Sequence, residues 1–402
     1  MSVSLYLAYG TLLVTASSVV YLGSLASLHT PEATKALRKK HGQSELDEDE
    51  EYTEGMSSDH AWLFPVFGSA VLLSLYLAFK YLEKDMILMV INAYFALAGC
   101  LAIPNVLVHL CRIMMGPHVF GSWQKKGIVF CTQPCLLKSY SPATPAPKPT
   151  SHKKGMLYFY EKVSVPTLVF FGLVCGIIAI YLMTKNWILA NVIAICLAIQ
   201  GIMLITLDSF ATGFILLGGL FLYDIFWVFG SSKFAGQSVM VSVATNFDGP
   251  IKIVVPRNVL EVLETIQTLG WKFRPALQFS LLGLGDIVVP GVFVALALSF
   301  DQKLASEKRP SLTFTRFFYD FPKPYFTACM SGYVLGLAMT MGVMHVFKAG
   351  QPALLYLSPA CSFAALLTAY ARNEIKDMWS WVNPASQEPK SYDTQASSDK
   401  TE

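Results

Sequence analysis

Charged side chains are scarce in this chain. Asp, Glu, Lys and Arg make up 14% of its 402 residues, whereas an ordinary soluble domain carries about 25%. That deficit leaves no room for a large solvated domain. The net charge of +3 is too small to single out a polyanionic partner, so no nucleic acid is expected. The eight cysteines do not form the framework of a small secreted domain. Cys100, Cys175, Cys196, Cys329 and Cys361 fall in or beside apolar runs, as small packing residues do. His109, Cys111, Cys131 and Cys135 are too loosely spaced for a zinc set, so no metal and no cofactor is expected. The sequence has no Asn-x-Ser/Thr acceptor, and it does not end in a KDEL-type signal. Residues 373–402 form a polar tail without a membrane or folding signal.

Apolar residues make up 54% of the chain, with a mean hydropathy of +0.48. Nine runs are long enough to cross a ~30 Å hydrocarbon core: residues 4–28, 61–82, 86–108, 166–183, 187–205, 211–230, 278–300, 325–347 and 352–371. The chain is therefore expected to be an all-α polytopic membrane protein with nine transmembrane helices. The first run lacks a basic n-region and is expected to be an uncleaved anchor. Most of the 30 Lys and Arg residues fall in one alternating set of loops, at 35–40, 112–162, 303–323 and beyond 372. That side should be cytosolic, placing the N-terminus on the luminal or outer side and the C-terminus in the cytosol.

Between the spans, 44–55 is an acidic run expected to be a solvated linker, and 139–151 is rich in Pro and Ser. The loop 231–275 contains two β-favouring stretches, 239–244 and 251–255, separated by a segment with an Asn-Phe-Asp-Gly-Pro turn. A small β-hairpin is expected there, between helices 6 and 7. It either closes the loop or offers an exposed strand edge to an extended peptide. The expected organisation is residues 1–210 as five N-terminal spans with a cytosolic linker, 211–372 as four catalytic spans, and 373–402 as a disordered tail.

Two aspartates sit inside apolar runs. Asp224 lies in 211–230 and Asp286 in 278–300. A carboxylate at membrane depth is costly unless it is protonated, paired or hydrated. The two spans are expected to run antiparallel. Counted from their luminal ends, the aspartates lie about 9 and 12 Å deep. Carboxyls brought together from adjacent helices cannot both ionise, so they share a proton and titrate as one unit. Such a pair can hydrolyse an amide, with one member taking a proton from water and the other donating to the carbonyl oxygen. An ion- or proton-coupled transporter would also hold carboxylates near the midplane. A non-catalytic helix-binding chaperone is the third reading. Gly283 and Gly285 loosen the chain beside Asp286. Tyr223 could donate to Asp224 or simply pack, and 351–355 (Gln-Pro-Ala-Leu-Leu) opens the last span.

Taken in order, Tyr223-Asp224, Gly283-Leu284-Gly285-Asp286 and Pro352-Ala353-Leu354 resemble the GxGD intramembrane aspartyl proteases of the presenilin superfamily. The longer stretches LLGGLFLYDIFWVFG, LLGLGDIVVPG and QPALLYLSPA resemble the signal peptide peptidase branch. The resemblance is strong over 187–370 and looser over 61–108. It implies a presenilin-like nine-helix fold with Asp224 and Asp286 as the catalytic pair. It implies active-site support from Tyr223, Gly283, Leu284, Gly285, Pro352, Ala353 and Leu354, and substrate contact at Gln351 and Leu355. It further implies transmembrane-helix and signal-peptide substrates of N-in, C-out orientation and an endoplasmic reticulum membrane location in contact with lipid. A homo-oligomer or quality-control partners in that membrane would fit the same family.

Overall fold

The structure, a computed structural model, describes residues 3–29, 31, 40, 54–115, 127–132, 135–140, 160–231, 239–240, 243, 249–260, 262, 277–308, 321–347 and 351–386. The expectations for 44–53, 141–151 and 387–402 lie outside the described residues. Nine described helices are long and apolar enough to cross a membrane: α1 (Val3–Ala26), α2 (Ser58–Tyr81), α3 (Lys84–Met115), α4 (Val165–Thr184), α5 (Trp187–Leu204), α6 (Phe210–Ile225), α7 (Gly285–Lys308), α8 (Pro324–Phe347) and α9 (Leu354–Ala371). The protein is a multi-pass membrane protein. Short strands lie between the helices: β1 (Glu54–Met56), β2 (Gly127–Thr132), β3 (Cys135–Tyr140), β4 (Tyr160–Ser164), β5 (Ile205–Leu207), β6 (Lys252–Pro256) and β7 (Phe279–Gly283). A short helix, α10 (Ile375–Ser380), follows the last span.

Local chemistry explains several boundaries. Ser209 caps α6, its hydroxyl accepting from the Thr212 N–H at 3.3 Å. Pro166 opens α4, where a missing N–H costs nothing, and Lys185 ends that helix in the left-handed conformation at φ 47°. At the far end of α6 the helix widens into one π turn, Phe226–Gly230. The Trp227 indole N–H there donates to the Ser69 hydroxyl at 3.0 Å.

The chain forms two compact units, Met89–Gln200 on the one hand and Met1–Leu88 with Gly201–Glu402 on the other. In the smaller unit the sulfurs of Cys100 and Cys175 lie 3.8 Å apart, joining α3 to α4. That unit also carries an antiparallel sheet in the order β3-β2-β4, whose strands lie on either side of the Pro/Ser-rich stretch 141–151.

In the larger unit α7 is the central helix. Of its membrane window 72% is buried inside the protein, against none for α2, so α7 is wrapped by protein while α2 faces outward. The apolar run from Val292 to Leu298 covers every side of α7, as a helix buried all round requires. Helices α1, α8 and α9 pack against α7, α2 packs on α6, and α9 lies between α8 and α6. The closest crossing joins α8 to α9. A Cβ on Gly332 would stand 2.8 Å from the Ala360 carbonyl oxygen, and one on Gly336 would stand 3.2 Å from the Leu357 Cα.

Three expectations require correction. The seventh span does not begin at Gln278: residues Phe279–Gly283 form β7, and the helix starts only at Gly285 and runs on to Lys308. The strand expected over 239–244 is not formed, because the described residues Val239, Met240 and Val243 are helical. Strand β6 pairs instead with β7, antiparallel, from Lys252↔Gly283 to Pro256↔Phe279. The small sheet between helices 6 and 7 is therefore real, but it is built from the residues just before Asp286. Finally, residues 375–386 of the tail are folded and docked. Met378 is fully buried, Trp381 nearly so, and Asn383 donates to the backbone carbonyls of Asp208 at 2.6 Å and Leu207 at 3.1 Å.

Candidate active site

Asp224 stands near the end of α6, and Asp286 is the second residue of α7. The packing of α9 against both helices holds this region together. Asp224 is 2% exposed, and its Oδ2 has no hydrogen-bond partner among the described residues. Asp286 is half-buried. Asp286 lies within electrostatic reach of the Asp224 carboxyl.

Three backbone devices position them. First, β7 leads straight into the α7 N-terminus and is braced by β6. The Leu284 N–H donates to the Ile251 carbonyl at 3.0 Å, and the Leu284 carbonyl then accepts the first helical bonds, from Ile287 at 3.1 Å and Val288 at 2.8 Å. Leu284 is thus the joint between strand and helix, with Asp286 two residues beyond it. Second, Gly283 leaves room over that joint. A Cβ there would lie 3.5 Å from Asp286 Oδ2, so the carboxyl oxygen rests directly above the glycine. Third, the backbone N–H of Leu354, the first residue of α9, hydrogen-bonds the Asp224 carboxyl. An N–H at a helix start has no intrahelical partner and carries the positive end of the helix dipole, so it suits a carboxylate.

The remaining residues singled out in the sequence fall in different places. Pro352 and Ala353 are buried at the head of α9; the Pro352 carbonyl accepts from Leu355 at 3.3 Å and that of Ala353 from Tyr356 and Leu357 at 3.1 Å. They set the pitch that aims the Leu354 N–H. Gln351 and Leu355 flank them and are half-buried. Gly285 has open space around its α-carbon. Tyr223 turns its ring toward α2, within 3.7 Å of the Cβ position of Gly68, and joins the cluster around Trp227 with Leu72, Leu75 and Tyr76.

Two buried side chains, one of them at the far end of α7, gave no signal in the sequence. Tyr333, on α8, is fully buried and lies within electrostatic reach of Asp286. It reads as one more aromatic residue in an apolar run. Asp301 lies beyond the apolar stretch that seemed to end the seventh span, yet it is 1% exposed. Its two oxygens accept from the Tyr325 N–H at 3.2 Å and the Phe326 N–H at 2.8 Å, capping α8.

Two carboxyls within electrostatic reach, one with a backbone donor and the other just past the end of a β-strand, have the parts for acid–base hydrolysis of an extended peptide. Known proteins point the same way. Residues 48–385 match the family model described as signal peptide peptidase. The chain is 35% identical over 400 residues to the signal peptide peptidase of Mus musculus, covering 98% of this chain and 89% of that protein. It is 34% identical over 383 residues to that of Homo sapiens, covering 95% and 85%. It is also 41% identical over 216 residues to intramembrane protease 2 of Caenorhabditis elegans, covering 52% of this chain and 41% of that protein.

Proposed function

The chain belongs to the signal peptide peptidase family of intramembrane-cleaving aspartic endopeptidases, and from that premise we propose that Asp224 and Asp286 carry out the hydrolysis together. One carboxylate takes a proton from water as the water oxygen bonds to the scissile carbonyl carbon. The other, protonated, donates to the carbonyl oxygen. The C–N bond then breaks as the amine nitrogen takes up a proton from the pair. The Leu354 N–H steadies the charge on Asp224 throughout. The observation that carries this reading is the convergence of the two carboxyls from α6 and α7, with an α9 backbone donor on one of them.

A helical substrate hides its amides in its own hydrogen bonds, so it must unwind locally before attack. Strand β7 ends three residues before Asp286 and is paired with β6. An unwound segment adding to this small sheet as a further strand would present its amide to the pair. Substrates are transmembrane segments. We assign to them, more finely, the remnants of signal peptides and other N-in, C-out spans of the endoplasmic reticulum membrane. The family resemblance supports this assignment, and it fits an N-terminus on the luminal side and a C-terminus in the cytosol, the orientation that the loop charges favour.

The test is cleavage of a signal-peptide-like helix by the purified protein in detergent, with and without a transition-state-mimicking aspartyl protease inhibitor. Asp224→Asn and Asp286→Ala should each lower cleavage by at least about 10²- to 10⁴-fold, the usual share of a general acid or base. Full activity in either variant would sink the two-aspartate assignment.

A further inference from the structure

Strands β6 and β7 form a two-stranded sheet among the described residues, so each has an outer edge. At one end of the pair the Arg257 N–H donates to the Gln278 carbonyl at 2.7 Å; at the other the Leu284 N–H donates to the Ile251 carbonyl at 3.0 Å. Residues of an antiparallel strand alternate between bonding their partner and turning their N–H and C=O away from it. In the observed register, Ser280 and Leu282 therefore face β6 with their backbone groups, and Phe279, Leu281 and Gly283 turn theirs outward. On β6 the outward set is Lys252, Val254 and Pro256. Pro256 has no N–H, which spoils that edge for a further strand. The outer edge of β7 is the better template, and it leads into α7 and Asp286. Leu281 and Gly283 make no outward backbone bond among the described residues. The Phe279 carbonyl, by contrast, is occupied. The Arg257 side chain donates to it from Nε at 3.1 Å and from Nη2 at 2.8 Å. Arg257 is exposed, and water would serve its donors without the entropy lost in fixing so long a side chain.

We propose that Arg257 is a positioning residue that sets where the substrate is cut: by capping the Phe279 carbonyl it ends the free edge of β7 and holds an incoming strand to the single register over Leu281 and Gly283. The inference rests on the strand-addition reading above. Outward groups recur every second residue along an edge, so a paired strand can slip by two residues and regain its hydrogen bonds with the same side chains facing the same way. An edge open at Phe279, Leu281 and Gly283 would offer two such registers, one over 279 and 281 and one over 281 and 283. They differ by two residues, or about 7 Å of strand. That exceeds the reach of a carboxyl to the amide it protonates, which is about 3 Å. The two registers would therefore bring different peptide bonds to Asp286. With the Phe279 carbonyl bound to Arg257, only the register nearer Asp286 keeps its full set of bonds.

The test reads the position of the cut. The full-length protein and Arg257→Ala are incubated in detergent with one signal-peptide-like helix, and the products are weighed by mass spectrometry. Arg257→Ala should add products offset by two residues from the main cut. Their share should rise about tenfold, as for loss of a hydrogen bond to a charged group. A purely structural role for Arg257 would change the amount of product but not its masses. Product masses identical to the wild type, in the same proportions, would overturn the proposal. Leu281→Pro is measured alongside, with its Tm. It removes an N–H that faces away from β6, so the pairing with β6 is kept while the template loses a donor. Cleavage should fall at unchanged Tm. If Leu281→Pro cleaves like the wild type, the strand-addition reading fails. If it is impaired while Arg257→Ala cuts where the wild type does, only the role of Arg257 fails.

Discussion

At the scale of single residues, what a buried carboxylate accepts from its neighbours separates structure from chemistry. Asp301 is as buried as Asp224, but both of its oxygens receive backbone N–H donors from the start of α8. It is a helix cap with nothing left over. Asp224 keeps one oxygen unpartnered among the described residues, which suits a group that must still receive a proton or a water. Glu374 shows the satisfied case outside the spans. Burial works against its charge, but the Arg372 guanidinium at 2.9 and 3.2 Å and the Tyr325 hydroxyl at 3.0 Å outweigh it, and its carboxyl is held below the ordinary value of 4.5. A carboxyl lowered by folding adds stability above its unfolded pKa and loses it as pH falls through the folded value. The Tm of the wild type should therefore drop more steeply than that of Glu374→Gln once the pH falls below about 4.5. Parallel Tm curves for the two proteins would show that the network adds nothing.

At the scale of elements, the stretch before Asp286 is decided by pairing rather than propensity. Phe279–Gly283 continues an apolar run into α7 without a break, and such a run serves equally as helix or strand. Pairing with β6 makes it a strand, which moves Asp286 from mid-helix to the first turn of α7. A strand-to-helix joint at Leu284, not a helix running through 278–300, sets the position of Asp286. The α8–α9 crossing depends on a second local condition. Gly332 meets the Ala360 carbonyl, so even a methyl group would stand 2.8 Å from a backbone atom that cannot swing aside. Gly332→Ala should cost about 1–3 kcal/mol, read as a lower Tm in detergent. Activity should fall as well, because α9 carries the Leu354 donor. An unchanged Tm would mean that the two helices separate more readily than their contact suggests.

At the scale of the whole molecule, the segment after the last span ties the catalytic helices together at their far ends. Trp381 packs on Phe210 of α6 and Phe300 of α7, with ring centroids 6.1 and 5.2 Å away, and Trp379 stacks on Phe214 at 6.1 Å. Asn383 then bonds the backbone at β5, which is itself paired in parallel with β1. The helices that bear the two aspartates are thus braced at the ends opposite the carboxyls. Trp381→Ala should destabilise the protein by about 3–5 kcal/mol and lower cleavage without touching substrate. The check is a Tm measured beside the cleavage rate; a stable variant with normal cleavage would show that the brace is dispensable.

The sequence by itself determined the membrane class, the number of long apolar spans and the two anomalous aspartates, because hydropathy and the cost of a carboxylate in lipid act within a single segment. The motifs around Asp224, Asp286 and Pro352 carried the family resemblance in the same local way. Only the tertiary structure decided which strand pairs with which, that Asp301 is a cap, that the Leu354 N–H reaches Asp224, and that residues 375–386 dock. Each of those depends on residues distant in the chain. A hydroxyl or carboxyl becomes structural or functional according to the partner another helix brings to it, and that partner has no signature in the residue's own surroundings in sequence.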